Sequence, residues 1–395
     1  MRYFLEIART GVTALLLHPQ RSLVTTACLV AILLPYLVGL GLSRGVQEDA
    51  EAALRFGADL YVTGEQFGRP VPVPLAAAAE VRKLPGVAAV VPRIVGRIEL
   101  GKDRVSAVVV GVPLEDFPPA LECIEGRLYR GGKRNELVVG SDLARRLGLQ
   151  VGSLLPPFYR SSKGEHVSEV VGVFRSDVSL WQARLIVTSF ETAGHLFDQP
   201  DLATDLLVHC RPGYQEEVQR ALLRNLTLKL PGGPAHPRVV AREDLAALLP
   251  QGLLHREGVF TLLFVLAFVV GILVILVTSG FGLSERRREI GILKATGWQT
   301  DELLLRSLVE SFLLSLAGAS LGVVLAFVWL RWLNGYWIAG VFLAGVDRAP
   351  GFRVPFRLTP VPALLAFLIA LVVVMSGSLY STWRAATTPP REAMR

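Results

Sequence analysis

Charged and apolar residues are combined in one short block, Ser284–Gly297, with the sequence SERRREIGILKATG. The block lies between two apolar runs, Val259–Leu283 and Ser307–Leu333, each longer than the roughly 20 residues that cross a bilayer. Its five Lys and Arg residues, counted out to Arg306, place it on the cytoplasmic side of a membrane. The chemistry of this block is therefore that of a docking surface and not of a catalytic centre.

A helix over Ser284–Thr296 would lie along the membrane and present two faces. Arg287 and Lys294 share one face at seven-residue spacing. Ile290 and Leu293 lie on a neighbouring face, which can fill a groove on a partner protein. The alternative is an ordinary loop whose charges only set the membrane topology.

The residues after this helix predict a tight turn and a second helix. Gly297 is placed to end the first helix in a left-handed turn. Thr300 is expected to cap the second helix, with Asp301 and Glu302 favouring its positive N-terminal end. The pattern is thus helix, turn, helix.

Other residues that could catalyse a reaction or bind a metal form no recognisable site. No Ser-His-Asp or Cys-His pattern can be assembled, so we predict no catalytic residue. Cys123 and Cys210 could form a disulfide in an oxidising compartment, but their spacing does not decide it, and Cys28 lies in an apolar run. No metal is expected, because the spacing typical of ligands is missing among His166, His195, His209 and His236.

The composition is that of a membrane protein. Of the 395 residues, 51% are hydrophobic and only 19% are charged, and the mean hydropathy is +0.45. Two further apolar runs, Ser22–Leu42 and Val361–Tyr380, raise the predicted number of spans to four. The first run lacks a small-x-small cleavage site, so we expect an anchor and not a removed signal peptide. The net charge of +7 is a topology signal, and no nucleic-acid partner is expected.

These features predict a multi-pass membrane protein with both termini in the cytoplasm. The expected spans are 22–42, 259–283, 307–333 and 360–382. The expected cytoplasmic parts are 1–21, the loop 284–306 and the tail 383–395, and the expected outer parts are the domain 43–258 and the loop 334–359.

The outer domain mixes strand and helix patterns, which predicts an α+β fold. The predicted strands are 58–62, 87–100, 105–110, 137–139, 167–174 and 184–187, and the predicted helices are 75–84, 141–147, 189–196, 215–226 and 243–249. Gly45–Phe56 and Arg242–Val259 could extend the neighbouring spans as helical stalks, although Pro250 and Gly252 are expected to break or kink the second stalk. Simple linkers are the alternative.

Residues Leu283–Ala326 resemble the C-terminal permease module of the MacB/FtsX family of ABC systems, which includes the LolC and LolE permeases. The signature positions are Glu285, Arg288, Glu289, Ile290, Gly291, Leu293, Lys294, Gly297 and Glu310. Weaker similarity extends to Pro85–Ile94, Val108–Pro113, Asn135–Ser153, Val170–Phe174 and Pro389–Arg395.

The resemblance implies a location in a bacterial inner membrane and a role for each part of the chain. The outer domain would have a MacB-type periplasmic core fold with porter and sabre lobes. The block in the cytoplasmic loop would be the coupling helix that docks on an ABC ATPase, through Glu285, Arg287, Arg288, Glu289, Ile290, Leu293, Lys294 and Gly297. ATP-driven movement would reach the outer domain through the stalks, which is called mechanotransmission. A close helix contact, assigned to a permease dimer, would involve Gly318, Ala319 and Gly322.

The sequence contains no G-x-x-x-x-G-K-[ST] motif to hold nucleotide phosphates. ATP and Mg²⁺ are therefore expected on a separate ATPase subunit, with no cofactor on this chain. Because 21 residues precede the first predicted span, the organisation is closer to LolC and LolE than to MacB proteins with a fused ATPase.

The loop 334–359 is longer than is usual in the resembled family. Its aromatic and arginine side chains suit lipid headgroups or a lipid-linked substrate, but a cap on the dimer is equally open. They are Tyr336, Trp337, Phe342, Phe352, Phe356, Arg348, Arg353 and Arg357.

Three functions stay open at this point. One is export or extraction of an amphipathic or lipid-linked substrate, with a second or sister permease and with a periplasmic adaptor and an outer-membrane channel as further partners. Another is FtsX-like regulation of an outer partner such as a cell-wall hydrolase, without transport. A receptor or adhesin is the third, and it would leave the charged block unexplained.

Overall fold

The computed structural model of this chain describes residues 9–11, 13, 15, 19–101, 104–132, 135–157, 160–161, 164–165, 167–230, 233–280, 290–339 and 353–387. The chain divides into two compact units. We call Met1–Val46, Leu253–Pro350 and Phe356–Arg395 the helical unit. We call Gln47–Gly252 with Gly351–Pro355 the α/β unit.

Long apolar helices build the helical unit. They are α1 (Pro19–Arg55), α7 (Arg242–Gly280), α8 (Thr300–Trp332) and α9 (Pro360–Thr387). Each of the predicted spans overlaps one of them. Within the described residues, Ser22–Arg55 and Thr300–Trp332 are long and apolar enough to cross a membrane, and the apolar stretches Phe264–Val274 and Pro360–Ser376 are shorter. The count of four spans therefore stays a prediction.

Close packing joins α1 to its neighbours in the helical unit. Tyr36 of α1 stacks on Phe264 of α7 with ring centroids 4.1 Å apart. A Cβ atom added at Gly271 of α7 would lie 2.0 Å from Ile32 Cδ1, so the end of the Ile32 side chain would have to move. Phe312 and Phe367 meet edge to face between α8 and α9, at 5.4 Å.

The stalk segments are helical, as predicted, but the second one is not broken. Helix α1 continues through Gly45 to Arg55, and α7 runs from Arg242 to Gly280 through Pro250 and Gly252. The expected break was wrong, because proline removes only one backbone hydrogen bond from a helix of 39 residues. A kink at this point stays a prediction. Pro35 is carried inside α1 in the same way.

One mixed sheet forms the centre of the α/β unit. Its strands run in the order β15-β16-β1-β14-β4-β5-β12-β7-β11-β6, with β2 and β8 added beside β1 and β11. The main strands are β1 (Leu60–Gln66), β4 (Val87–Leu100), β5 (Val105–Val112), β6 (Leu121–Gly126), β7 (Glu136–Gly140), β11 (Ser168–Ser176), β12 (Leu185–Ser189), β14 (Asp205–Cys210), β15 (Leu228–Leu230) and β16 (Gly233–Ala241). The short strands are β2 (Arg69–Val71), β3 (Val73–Pro74), β8 (Leu154–Leu155), β9 (Arg160–Ser161), β10 (Gly164–Glu165) and β13 (Leu202–Ala203).

Short helices cover this sheet. They are α2 (Leu75–Val81), α3 (Ser141–Leu147), α4 (Ser179–Arg184), α5 (Phe190–Leu196) and α6 (Gln215–Asn225). The pairs β7/β11 and β5/β12 are parallel, whereas the other main pairs are antiparallel, so the predicted α+β class is confirmed. One apolar core extends from Leu60 to Leu228 beneath these helices, and Phe174 and Tyr129 belong to a second cluster.

The two expected lobes are joined by a single strand. Strand β4 is 14 residues long, and it pairs with β14 in its first half and with β5 in its second half. Because both halves share β4 and the same core, Gln47–Gly252 forms one compact unit. The division into porter and sabre lobes stays an expectation from the resemblance.

Candidate coupling site

Only part of the predicted coupling helix can be described. Glu285, Arg287, Arg288 and Glu289 lie outside the described residues. The described segment begins at Ile290, and residues 290–295 are helical. We call residues 290–299 the coupling segment.

The coupling segment packs on the start of α8. Ile290 is only 5% exposed and forms an apolar cluster with Leu303 of α8, joined by Leu293 and Trp298. The prediction that Ile290 and Leu293 face a partner's groove therefore needs correction. Their apolar side chains are used inside the chain, where they hold the segment against α8.

A left-handed glycine ends the helical part, as predicted. Gly297 has φ of +98°, a conformation that side chains on other residues disfavour. Trp298 N–H donates to the Leu293 carbonyl at 3.1 Å, and Gly297 N–H donates to the Lys294 carbonyl at 3.0 Å. This pair of bonds turns the chain sharply towards α8.

The cap of α8 differs by one residue from the prediction. Gln299, and not Thr300, is the N-cap, with extended backbone angles. The Glu302 carboxylate accepts a hydrogen bond from Gln299 N–H at 2.9 Å. Glutamate three residues after the cap supplies this reciprocal bond, so the start of α8 lies one residue earlier than a threonine cap implies.

The outward face of the coupling segment carries residues that the sequence did not single out. Ile292 is 52% exposed, and Ala295 and Thr296 are exposed as well. An exposed isoleucine two residues from a buried one is what a helical turn packed on one side produces. Ile292 is therefore the apolar side chain of this segment that a partner can reach.

The small residues of α8 make a contact within the chain. A Cβ atom added to Gly318 would lie 2.7 Å from Leu29 Cδ1, and one on Gly322 would lie 3.5 Å from Leu33 Cβ. Gly318, Ala319 and Gly322 are all buried in the single chain. The assignment of these residues to a dimer contact is thus corrected: their small size lets α8 approach α1.

The disulfide that the sequence left undecided is not formed. Cys123 and Cys210 are unbonded, and they lie on β6 and β14, which are six strand positions apart in the sheet. That separation is about 29 Å along the sheet, far beyond the reach of a disulfide. Burial and the nearby Asp59 carboxylate raise the pKa of the Cys210 thiol to about 11, so it stays protonated.

The remaining predicted sites are partly described. Among the described residues there is no group of three or more His, Cys, Asp or Glu side chains that could hold a metal ion. Tyr336, Trp337 and Trp332 are exposed at the end of α8. Positions Phe342, Arg348, Phe352 and His166 lie outside the described residues.

An ion pair at the start of β1 was not predicted from the sequence. Arg242, the first residue of α7, donates its backbone N–H to the Asp59 carbonyl at 2.9 Å. Its guanidinium lies 3.3 Å from the Asp59 carboxylate, which also accepts from Cys210 N–H at 2.8 Å. Asp59 precedes β1, and Leu60 pairs with Ala241 of β16. The first residue of α7 is therefore held beside the start of β1.

Two family models match the chain. The FtsX-like permease C-terminal model matches residues 261–390. The MacB-like periplasmic core domain model matches residues 24–225, about half of the chain.

Two relatives are similar to different lengths of this chain. The uncharacterized ABC transporter permease MJ1507 of Methanocaldococcus jannaschii is 26% identical over 216 residues, covering 52% of this chain and 50% of that protein. The macrolide export ATP-binding/permease protein MacB of Photorhabdus laumondii is 24% identical over 413 residues, covering 96% of this chain and 59% of that protein. This chain thus spans between 50% and 59% of the length of these relatives.

Two solved structures are similar to about half of this chain. The periplasmic region of MacB from Actinobacillus actinomycetemcomitans is 14% identical and covers 50% of this chain and 95% of that structure, with a TM-score of 0.36. The extracellular domain of the ABC-type transporter YknZ from Gram-positive bacteria is also 14% identical and covers 46% of this chain and 98% of that structure, with a TM-score of 0.34.

Proposed function

Since this chain belongs to the MacB/FtsX family of ABC transporter permeases, we propose that it is the membrane subunit of an ATP-driven ABC system. ATP and Mg²⁺ are bound by an ABC ATPase on another polypeptide. The observation that carries the proposal is the coupling segment, which is turned by Gly297 and fixed to α8 by Ile290. It leaves Ile292 exposed for a partner.

In this proposal the coupling segment receives movement from the ATPase. The apolar cluster around Ile290 and Leu303 ties the segment to α8, so a push on the segment moves α8 as well. The predicted charges at Glu285, Arg287, Arg288 and Glu289 would complete the docking surface, with Lys294 beside them. Buried apolar contact with an ionic rim is the usual anatomy of a protein interface.

The same proposal assigns the transmission of movement to the stalks. Helices α1 and α7 are continuous and carry residues of both units, which supports stalks over flexible linkers. Alpha-helices of 37 and 39 residues measure about 55 Å and 58 Å. Each is a stiff element, so movement at one end is passed to the other.

The cargo class rests on the family and on surface chemistry. The relatives named MacB are described as macrolide export proteins, and macrolides are amphipathic. Trp332, Tyr336 and Trp337 are exposed at the end of α8, where indole and phenol rings suit a membrane interface. We therefore propose export or extraction of an amphipathic or lipid-linked substrate at the outer face of an inner membrane, by a permease dimer formed with a second copy or a sister chain.

One observation favours the regulatory alternative. Phe67 is 95% exposed at the tip of the β1–β2 hairpin, at the end of β1 opposite to the stalk. An exposed aromatic side chain on a rigid hairpin can dock on an outer protein partner. A periplasmic adaptor with an outer-membrane channel would favour export, whereas a cell-wall hydrolase at this tip would favour regulation.

The test is co-purification of the tagged chain with the ABC ATPase encoded beside it, followed by ATP turnover in nanodiscs. Ile292→Asp is expected to weaken association about tenfold or more, because it puts a charge into an apolar contact. Ile124→Asp, on the exposed edge strand β6, is the matched control and should leave association unchanged. Wild-type chain that neither binds the ATPase nor alters its turnover would refute the proposal.

A further inference from the structure

A carboxylate is buried on the stalk helix α1. Asp49 lies in the part of α1 that belongs to the α/β unit, and it is only 7% exposed. Aspartate is a poor helix former, and its buried charge is costly unless hydrogen bonds compensate for it. The free-energy cost of burying this carboxylate must therefore be compensated by groups outside α1.

The compensation comes from helix α4. The Asp49 carboxylate accepts hydrogen bonds from Ser179 N–H at 2.8 Å and from Leu180 N–H at 3.3 Å. Both groups belong to the first turn of α4, where backbone N–H groups have no partner within the helix. The positive end of the α4 dipole favours the carboxylate further. Asp49 thus caps a helix that is 130 residues away along the chain.

An aromatic contact lies beside this cap. Phe56, just after α1, meets Trp181 of α4 with ring centroids 6.5 Å apart. Trp181 in turn packs on the apolar cluster that contains Val138 of β7 and Val187 of β12. Helix α4 therefore lies between the stalk and the sheet, with contacts to both.

Helix α4 is bound tightly to three strands on its other side. A Cβ atom added to Gly140, the last residue of β7, would lie 2.3 Å from the Gln182 carbonyl oxygen. Ser141 Oγ donates to Gln182 Oε1 at 2.9 Å, and Gln182 Nε2 donates to the Ser176 carbonyl at the end of β11. The chain leaving α4 continues directly into β12. Movement of α4 must therefore move β7, β11 and β12.

The second stalk is attached elsewhere on the sheet. Arg242 of α7 is held by Asp59, whose carboxylate also binds Cys210 N–H of β14. The neighbouring strands are β1 and β16. Strands β4 and β5 lie between this group of strands and the group that α4 contacts.

We propose that the Asp49 contact with α4 is the joint through which the first stalk moves the β7–β11–β12 part of the outer domain. The inference rests on the proposed function and names the residue and the receiving helix. A displacement of α1 relative to α7 then acts between two groups of strands, with β4 and β5 as the region that must twist. Two directional hydrogen bonds to one carboxylate resist sliding of α1 along α4, which an apolar contact alone would permit.

The first measurement is hydrogen exchange of the full chain in nanodiscs without any ATPase. Asp49→Ala is expected to raise exchange at the Ser179 and Leu180 amides about tenfold or more, because their charged acceptor is lost. Glu51→Ala, at an exposed position of the same helix, is the control and should leave both amides unchanged. Unchanged protection in Asp49→Ala would overturn the joint.

The second measurement adds the ABC ATPase and ATP with Mg²⁺. Spin labels at Glu122 of β6 and Lys229 of β15, both exposed, report the distance across the sheet in a cysteine-free background. We expect ATP to shift this distance in the wild type and in Glu51→Ala, and most of the shift to be lost in Asp49→Ala. A full shift in Asp49→Ala, or no shift in the wild type, would refute the joint, whereas the proposed function is tested separately by association with the ATPase and by ATP turnover.

A second variant covers the case in which Asp49→Ala fails to fold. Ser179→Pro removes the 2.8 Å donor while keeping Asp49, and proline is well tolerated at the first position of a helix. Val178 before it is already extended, as a residue preceding proline prefers. This variant is expected to lose a large part of the ATP-dependent shift, and an undiminished shift would again refute the joint.

Discussion

Phe67 occupies a backbone conformation that suits other residues better. It has φ of +51° and Gly68 has φ of +73°, so the β1–β2 hairpin has a two-residue turn with both residues left-handed. Asparagine is favoured at the first position, and phenylalanine gains nothing here by burial because it is 95% exposed. Phe67→Asn is therefore expected to raise the free energy of unfolding by about 0.5–1 kcal/mol, measured by urea unfolding in detergent.

The control for this prediction is Phe67→Ala. Alanine also removes the exposed ring, but it carries a Cβ atom without the local hydrogen bonds that let asparagine adopt φ above zero. Its stability should stay close to that of the wild type. Equal stabilisation by both substitutions would show that the ring, and not the backbone conformation, is what destabilises the hairpin.

Glu136 stabilises the outer domain in a pH-dependent way. Arg127 holds its carboxylate through two hydrogen bonds of 2.8 and 2.9 Å, and Arg130 N–H donates a third at 2.7 Å. These contacts lower the pKa of Glu136 from its usual 4.5 to about 2. Because the folded pKa lies below the unfolded one, the stabilisation is complete above a pH of about 5 and is lost as the pH falls towards 2.

Glu136→Gln should remove this dependence. At neutral pH the free energy of unfolding of the variant is expected to be lower by about 2 kcal/mol. This loss is smaller than the pKa difference alone implies, because 43% of the Arg127 side chain is exposed and water screens the ion pair. Urea unfolding of both proteins across the acid range measures the gap, which should close as the pH falls. A gap of constant size would mean that ionisation of Glu136 contributes nothing.

Functional residues differed in how far the sequence could reveal them. Gly297 was predictable because a left-handed helix end is encoded locally. The burial of Ile290 was not predictable, because it depends on contact with Leu303 in another element. The cap that Asp49 provides for α4 was not predictable for the same reason. Contacts made across long sequence separations leave no periodic signal in a single chain.

The packing of α8 on α1 leaves different amounts of space for a side chain at Gly318 and at Gly322. Alanine at Gly318 would place Cβ 2.7 Å from Leu29 Cδ1, whereas at Gly322 the nearest atom is 3.5 Å away. Alanine favours a helix over glycine by about 1 kcal/mol. Gly322→Ala should thus be neutral or stabilising, and Gly318→Ala should be less stable than Gly322→Ala by about 1–3 kcal/mol in thermal unfolding in detergent.

A double variant identifies the cause of that difference. Leu29→Ala creates the space that the new Cβ at Gly318 needs. Adding Gly318→Ala to Leu29→Ala should therefore cost less than adding it to the wild type, and the two effects should not be additive. If the two effects are strictly additive, the loss of stability in Gly318→Ala does not arise from the contact with Leu29 of α1.

Secondary structure was predictable where a pattern was long or strongly apolar. The predicted strand 87–100 coincides with β4, and the predicted helix 141–147 coincides with α3. Strand β16 was missed because Pro234, His236 and Pro237 lower its strand propensity, although it is paired on both sides. Helix α4 has only six residues, too few for a helical period to emerge.

The order of elements was predictable from composition, because apolar runs and a polar interval of about 215 residues are visible without any fold. The joining of the two expected lobes through β4 was not predictable. The pairing of β4 with both β14 and β5 depends on tertiary contacts between segments far apart in the sequence. The same holds for the attachment of each stalk to a different part of the sheet.

The orientation of the whole chain is predicted from where its positive charges lie, and it can be measured directly. Cysteine introduced at Thr296, exposed in the coupling segment, and at Glu216, exposed on α6, would be labelled in a background without the native cysteines. Because the positive charges around Thr296 favour the cytoplasm, an impermeant maleimide should react there only after the cells are permeabilised. Glu216→Cys should react in intact cells, since the apolar length of α7 lies between the two sites. The reverse labelling pattern would place the coupling segment outside, where no ATPase could reach it, and would remove the basis of an ATP-driven function.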